Sequence, residues 1–441
     1  MKRILVSLLG LAVVSTSVAA QDPVSPRTVA ATENIRVFVD NCPCSLDYLR
    51  TEIGYVDYVR DRADADVHLL FGYQGTGAGG TSFTLFFIGQ RAFAATADTL
   101  TFATAPSETE DQERQAIVRY MKMGLMRYVA RTPVADRIRI SVVAPTTAQV
   151  AAQTPARDPW NFWVFRMSAG GGGNGEKARS RISTNGSLSA TRTTELWKTR
   201  ISMNGRYEHS KLTVFIDTAE DGTDLPDEII KNYTHSAGFS GYVARSLGPH
   251  FTTGLTSSAS RSTFSNQDLA FRIAPAIEYS FFPYAESTRR LLTANYSLGM
   301  NAFDYTEETG YFKTSEQVPD HQLQVSYEVT ETWGSAFGSI SGQQYLHDIH
   351  LYSASAFAFA RIRLRKGLDL NFNGSASTIY NQIAVPRAGA TEREVLLNRR
   401  QLLTPYRISG SVGLSYTFGS ILNNIVNPRF NNAGGGEIFF F

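Results

Sequence analysis

From Tyr406 to Phe418 the chain alternates without a break. Tyr406, Ile408, Gly410, Val412, Leu414, Tyr416 and Phe418 fall on one side, and Arg407, Ser409, Ser411, Gly413, Ser415 and Thr417 on the other. Successive side chains of a strand point to opposite faces, so a period of two predicts a strand with one apolar and one polar face. The pattern recurs with Leu368, Leu370, Phe372, Ala376 and Tyr380 against Asp369, Asn371, Asn373, Ser375 and Ser377. It recurs again with Leu323, Val325, Tyr327 and Val329 against Gln324, Ser326, Glu328 and Thr330. About twelve such segments follow Trp160: 160–170, 178–193, 197–215, 230–245, 250–261, 269–282, 289–304, 321–331, 334–346, 350–365, 368–381 and 406–418. Many exceed the roughly 5–6 residues of a globular strand and reach the roughly 9–11 of a tilted membrane-crossing one. A soluble sandwich also alternates, but with shorter strands. The expectation is a closed barrel, apolar outside and polar within.

The chain's start fits that destination. Lys2 and Arg3 precede an apolar run from Ile4 to Val14, and Val18-Ala19-Ala20 forms a small-residue cleavage site, the pattern of a secretory signal peptide. No later stretch is apolar enough for a membrane helix, so an exported chain crosses a bilayer only as a barrel. Lys+Arg 42 against Asp+Glu 40 gives a net charge of +2, too balanced for a nucleic-acid binder. Two cysteines exclude a disulfide framework and a four-cysteine metal centre.

Thr146 to Pro159 lacks apolar periodicity, contains two prolines and reads as a linker. Before it, strands are expected at 35–39, 67–73, 82–88, 100–103 and 137–143, with a glycine-rich hairpin tip at Gly75–Gly80. Leu46, Leu49 and Ile53 have helical spacing. A longer helix over 108–131 has an acidic first turn and an apolar face of Ile117, Met121, Leu125 and Tyr128. This is a small α/β domain. After the linker, short connections are expected to alternate with longer ones, Gly171–Lys177 among the latter. Trp160, Trp163, Trp197 and Trp333 all fall at the short-turn end, with Phe281, Phe282, Tyr284 and Phe418, as a boundary girdle would. That end, with the N-terminal domain, is assigned to the periplasm.

Ser411, Gly413, Tyr416 and Phe418 fill the defined places of a pattern running polar, any, Gly, any, any, hydrophobic, any, aromatic. This resembles the β-signal of bacterial outer-membrane barrels, which implies insertion by the barrel-assembly machinery. The signal usually ends a chain, whereas here a tail follows, closing on Ile438-Phe439-Phe440-Phe441. Residues 160–441 also look broadly like the salt-induced outer-membrane barrel family of unknown function. The N-terminal part resembles periplasmic α/β modules such as the N-terminal domain of TolB.

Candidate sites are few. Cys42-Pro43-Cys44 admits a local disulfide or a pair of buried thiols; redox work prefers C-x-x-C spacing. Gly75–Gly80 lacks the Lys-Ser/Thr ending of a phosphate loop. His347-Asp348-Ile349-His350 offers too few metal ligands. Tyr207-Glu208-His209-Ser210 has the letters of a lipase site, but neighbours on a strand point apart. Arg200, Arg206, Glu208, Arg272, Glu278, Glu328, Arg361, Arg363, Arg365 and Asp369 fall on the polar side and are expected to line the lumen. They form either a salt-bridged filling or a mildly anion-selective constriction. Arg361, Arg363 and Arg365 read as a ladder with Glu208, Glu278 and Glu328 as partners.

The chain therefore reads as α+β: a signal peptide at 1–20, a periplasmic α/β domain at 21–145, a linker at 146–159, a closed antiparallel transmembrane β-barrel of about twelve strands at 160–418, and a periplasmic tail at 419–441. The expected role is a passive small-solute channel or an envelope-organising protein, not an enzyme, with no cofactor and no metal. The alternatives are a translocator barrel and, last, an outer-membrane lipid hydrolase. Expected partners are outer-membrane lipid, the assembly machinery, and a periplasmic protein or peptidoglycan.

Overall fold

The computed structural model describes residues 34–77, 79–141, 158–214, 228–389, 403–422 and 424–426. The signal-peptide reading of residues 1–20, most of the linker and the Phe-rich chain end lie outside the described residues.

The N-terminal unit is a five-stranded sheet in the order β2-β1-β3-β4-β5, with β1 at Arg36–Asp40, β2 at Asp57–Tyr58, β3 at Val67–Gly75, β4 at Thr81–Gly89 and β5 at Ala97–Thr104. Strand β1 runs parallel to β2 and β3, while β3, β4 and β5 form an antiparallel meander. Helix α1 (Leu46–Glu52) starts at the Ser45 cap and helix α2 (Glu110–Val129) at a Thr109–Gln112 capping box. Ile117, Met121, Leu125 and Tyr128 of α2 are buried against Phe71, Phe83, Leu85 and Phe87. Full burial of such side chains contributes about 1.5–3 kcal/mol each. Gly124 lets the helix sit on the Phe87 ring, where a Cβ would collide. Cys42 and Cys44 are joined in a disulfide and pack against this core. The strand expected over 137–143 is not formed among its described residues: Pro133–Arg137 makes a 3₁₀ turn and 138–141 join no ladder. Pro133 stands at the turn's first position, where its fixed φ favours helical geometry.

The second unit is one twelve-stranded antiparallel meander. Its strands are β6 (Trp163–Gly175), β7 (Arg179–Thr193), β8 (Trp197–Val214), β9 (Glu228–Ser246), β10 (Phe251–Ser262), β11 (Gln267–Ser280), β12 (Arg290–Tyr305), β13 (Ser315–Glu331), β14 (Gly334–Tyr345), β15 (Tyr352–Arg365), β16 (Leu368–Ile379) and β17 (Tyr406–Tyr416). All twelve sequence segments are strands. The strict alternation of connection lengths is not: β6 runs on through Gly170–Gly175, so its link to β7 is only 176–178. In an extended ladder glycine satisfies its backbone groups as any residue does, so a glycine run need not be a loop.

The sheet curls with its polar face inward. Among described strand residues of this sheet, the buried ones lie on the polar face, Ser297, Asn301, Asp320 and Tyr345 among them, with Val329 the exception. The apolar face is left open: Ile340 is 66% exposed and Val412 69%. Among the described residues strands β6 and β17 each have one hydrogen-bonded neighbour, so the described ladders form a meander with a seam between its two end strands. Gly170–Gly173 offer no side chains to lock that seam, and every residue of β17 is exposed.

Candidate functional site: the concave polar wall and its two covers

The register places nine of the ten expected charges on the concave face, among them Arg200, Arg206 and Glu208 on β8, Arg272 and Glu278 on β11, and Glu328 on β13. Arg361 and Arg363 on β15 and Asp369 on β16 complete them. Arg365 departs. A bulge between Arg363 and Arg365 sets it opposite Leu368, so the three arginines are not one ladder. The expected partners also differ. Glu208 pairs with Arg181 and Arg206, Glu278 bonds Tyr284 and Asn295, and Arg361 bonds Asn371. These carboxylates are taken by donors close by on the same strand, a neighbouring strand or the adjoining turn, because distant strands lie out of side-chain reach.

Between the charges the wall is lined with serine. Hydroxyl pairs Ser168–Ser187, Ser202–Ser240, Ser326–Ser339, Ser341–Ser355 and Ser375–Ser409 bridge neighbouring strands at 2.7–3.0 Å. Small neutral side chains that satisfy each other leave the wall polar and roomy. The signal was in the sequence, as serine at matching parity in successive strands, but pairing it required the register.

At the loop end the wall is covered. Thr309 and Pro386 form a bridge between the β12–β13 and β16–β17 loops, and Gly310 donates to the Val385 carbonyl at 2.9 Å. The Asn266 amide donates to the carbonyls of Glu307 and Ala384. Beneath this stitch Phe303, Tyr305, Val318, Tyr345, Leu351 and Ile383 form a second apolar core. Below it Arg272 holds the fully buried Asp320 at 3.0 Å, and Gln343 donates to the same carboxylate. Asp320 precedes the segment expected at 321–331, but β13 already starts at Ser315, and Pro319 stands just outside the ladder to β14, where proline is tolerated.

At the turn end the N-terminal domain is the cover. Arg62 donates to the Thr332 carbonyl at 2.6 Å, the Gly367 amide to Asp61 at 2.7 Å, and Lys366 pairs with Asp64. Gln74 accepts from Ser287, the Gly79 carbonyl from Arg166, and Gly77 lies against Thr193, where a Cβ would collide. The domain thus reaches the β7–β8, β11–β12, β13–β14 and β15–β16 turns. Residues after β17 complete its sheet edge: Val59 bridges Leu422 and Asn424 bonds Asp57 and the Tyr58 amide. The described part of the expected free tail is therefore tied to the domain.

Asp40 is the centre of this contact. Its carboxylate accepts from the fully buried His68 at 2.9 Å and from Arg363 at 3.1 Å, while the Arg363 guanidinium stacks over Phe38. Burial pushes the Asp40 carboxyl up, but the bonds from His68 and Arg363 and their charges pull it below the ordinary carboxylate value.

Other candidates separate. His209 lies on the convex face against Tyr233, whereas Ser210 is on the concave one. Ser411 and Gly413 sit on the concave face of β17, Tyr416 on the convex, and the Tyr416 and Phe418 rings stack at the turn end. No metal-binding cluster of His, Cys, Asp and Glu occurs among the described residues.

No family model matches the chain. No curated protein matches it either. Among solved structures it is similar to the translocator domain of the autotransporter NalP from Neisseria meningitidis, with 11% identity over 69% of this chain and 98% of that one, at a TM-score of 0.23. A Pseudomonas aeruginosa FadL homologue matches with 9% identity over 57% of this chain and 72% of that one, also at 0.23. Likenesses at this level assign no role.

Proposed function

We propose that the chain is an integral outer-membrane β-barrel that passes small polar solutes along its serine-lined wall and is shut at rest by its two covers. The sorting of the sheet's faces carries this reading. A broad belt of exposed Leu, Ile, Val, Phe and Tyr on the convex side is costly in water and favourable in lipid. The concave side is mostly polar and suited to water, with Phe337, Phe357 and Phe359 of β14 and β15 as apolar exceptions. Lipid also demands that no strand edge stay open, since unpaired backbone groups have no water to bond. Strands β6 and β17, first and last of an even antiparallel set, run in opposite directions, the relation that an antiparallel closing pair requires.

The domain-bearing end is the periplasmic one in this reading, which the tryptophans and short turns there support. Ser411, Gly413, Tyr416 and Phe418 then serve as the assembly signal. The charged residues of the wall are a structural filling first and a constriction second, because Arg272, Arg206 and Arg363 are already paired. The domain is a movable stopper, and a periplasmic protein or peptidoglycan that binds its acidic docking face would displace it. No bond chemistry is assigned to the chain.

The test is planar-bilayer conductance of the full chain and of an undocked variant, Asp40→Ala with Asp64→Ala. A small conductance that grows on undocking is expected. No conductance from either overturns the channel reading in favour of an envelope-organising role.

A further inference from the structure

The concave wall is filled unevenly. Toward the loop end, β12 to β14 are blocked by the apolar core and by the Arg272–Asp320 pair. Across β7 to β9 the wall is open: Arg181, Arg206, Glu208, Asn232, Thr234 and Ser236, together with the ring of Phe264, line a pocket of about 220 Å³. The neighbouring β6 presents Gly170 and Gly172 opposite Asn185 and Ser183, and Asn174 opposite Arg181, so beside Asn185 and Ser183 that strand adds no side chain.

The charges in this pocket are not balanced. Glu208 bonds Arg181 at 2.8 Å and Arg206 at 3.1 Å, and its side chain is only 15% exposed. The Arg181 and Arg206 side chains are 47% and 57% exposed. Among the described residues one acid thus lies between two cations, leaving one net positive charge and open N–H groups toward the pocket. A guanidinium carries about five donors in a fork that matches a carboxylate. Asn232, Thr234 and Ser236 add an amide and hydroxyls that suit a hydroxylated molecule. The volume is about seven times the roughly 30 Å³ of one water in the liquid, enough for a molecule of hexose size.

We infer that this pocket is a binding subsite for a small hydroxylated monocarboxylate, of the sugar-acid or hydroxy-acid type. Its place on a solute path rests on the channel reading; its binding chemistry does not. The single net charge favours a monoanion over phosphate or a dicarboxylate. Arg181, which sequence reading passed over, is as much a part of it as Arg206.

Binding is measured on the full chain in lipid nanodiscs by equilibrium dialysis, with radiolabelled glucuronate as probe and glucose as the neutral control. Saturable glucuronate binding is expected, at least about tenfold tighter than glucose, because a charge-assisted hydrogen bond is at stake. Arg181→Gln and Arg206→Gln should each weaken glucuronate about tenfold and leave glucose unchanged. Glu208→Gln should act in the opposite sense, since it frees both guanidiniums; a misfolded variant would not bind more tightly. Absence of saturable glucuronate binding, equal binding of glucose, or weakening by Glu208→Gln overturns the proposal. Swelling of proteoliposomes in glucose alone reads the path without the subsite, so its failure counts against the channel and not against this pocket.

Discussion

Replacing Asp40 with Ala should loosen the N-terminal domain from the turn end, and the size of the effect can be worked from the contact. Asp40 and Arg363 are 15% and 18% exposed. That lies between an exposed pair, worth about 0–1 kcal/mol, and a buried one whose rupture costs about 3–5 kcal/mol; about 2–3 kcal/mol is expected. At about 1.4 kcal/mol per tenfold, local opening should become about 30- to 150-fold more frequent. The Gly367 amide reports it directly, because its hydrogen bond goes to Asp61 across the contact. Its hydrogen-exchange protection should fall by that factor. Arg363→Ala should do the same to Gly367 while sparing the domain's own core. Asp40→Ala should also weaken the core, because it leaves the buried His68, whose Nδ1 has no partner, without its Nε2 partner. The pH dependence follows the sign of the Asp40 shift. A carboxyl held below its ordinary value contributes stability above that value, which is lost only as pH falls through the lowered one. Docking should therefore hold at pH 5 and weaken only below about 3.8. Protection of Gly367 unchanged within about twofold in Asp40→Ala, at pH values where exchange is measurable, would refute the reasoning.

Gly77→Ala should undock the domain without unfolding it, because the new Cβ meets Thr193 of the barrel turn and nothing of the domain core; protease sensitivity of the contact should rise while the domain's thermal midpoint stays put. Gly124→Ala should do the reverse, costing the domain about 1–3 kcal/mol as its Cβ is forced into Phe87, read by thermal unfolding of the domain. Residues 34–141, expressed alone, should show a cooperative transition, at lower temperature than with residues 419–426 restored to the edge they complete; a disordered fragment would mean that the barrel holds the domain together. Val412→Arg should impair membrane assembly far more than Ser415→Arg, since Val412 is on the convex face near the middle of β17 and Arg there costs about 2–4 kcal/mol, whereas Ser415 is on the concave face. Heat-modifiable electrophoresis of the two variants checks it, and equal assembly would reverse the assignment of faces.

Much of this architecture is legible in one dimension because a strand's facing is a local property. Alternation alone located all twelve strands and put Arg206, Glu208 and Arg272 on the polar side, since parity is conserved along a ladder. Helix α2 was legible for the same kind of reason, an acidic first turn and an apolar face at helical spacing. Where a local rule gave way, a long-range contact had overridden it. Gly171–Gly175 reads as a loop from sequence, but β7 pairs with it, and Arg365 leaves its ladder at a bulge. The partners of the charges, the stitched loops above Asp320 and the clasp of Asp40 by Arg363 join residues far apart in sequence, 323 positions in the last case. No periodicity encodes such pairs. They are fixed only when the sheet curls, which brings distant side chains within hydrogen-bond reach and decides which donor meets which acid.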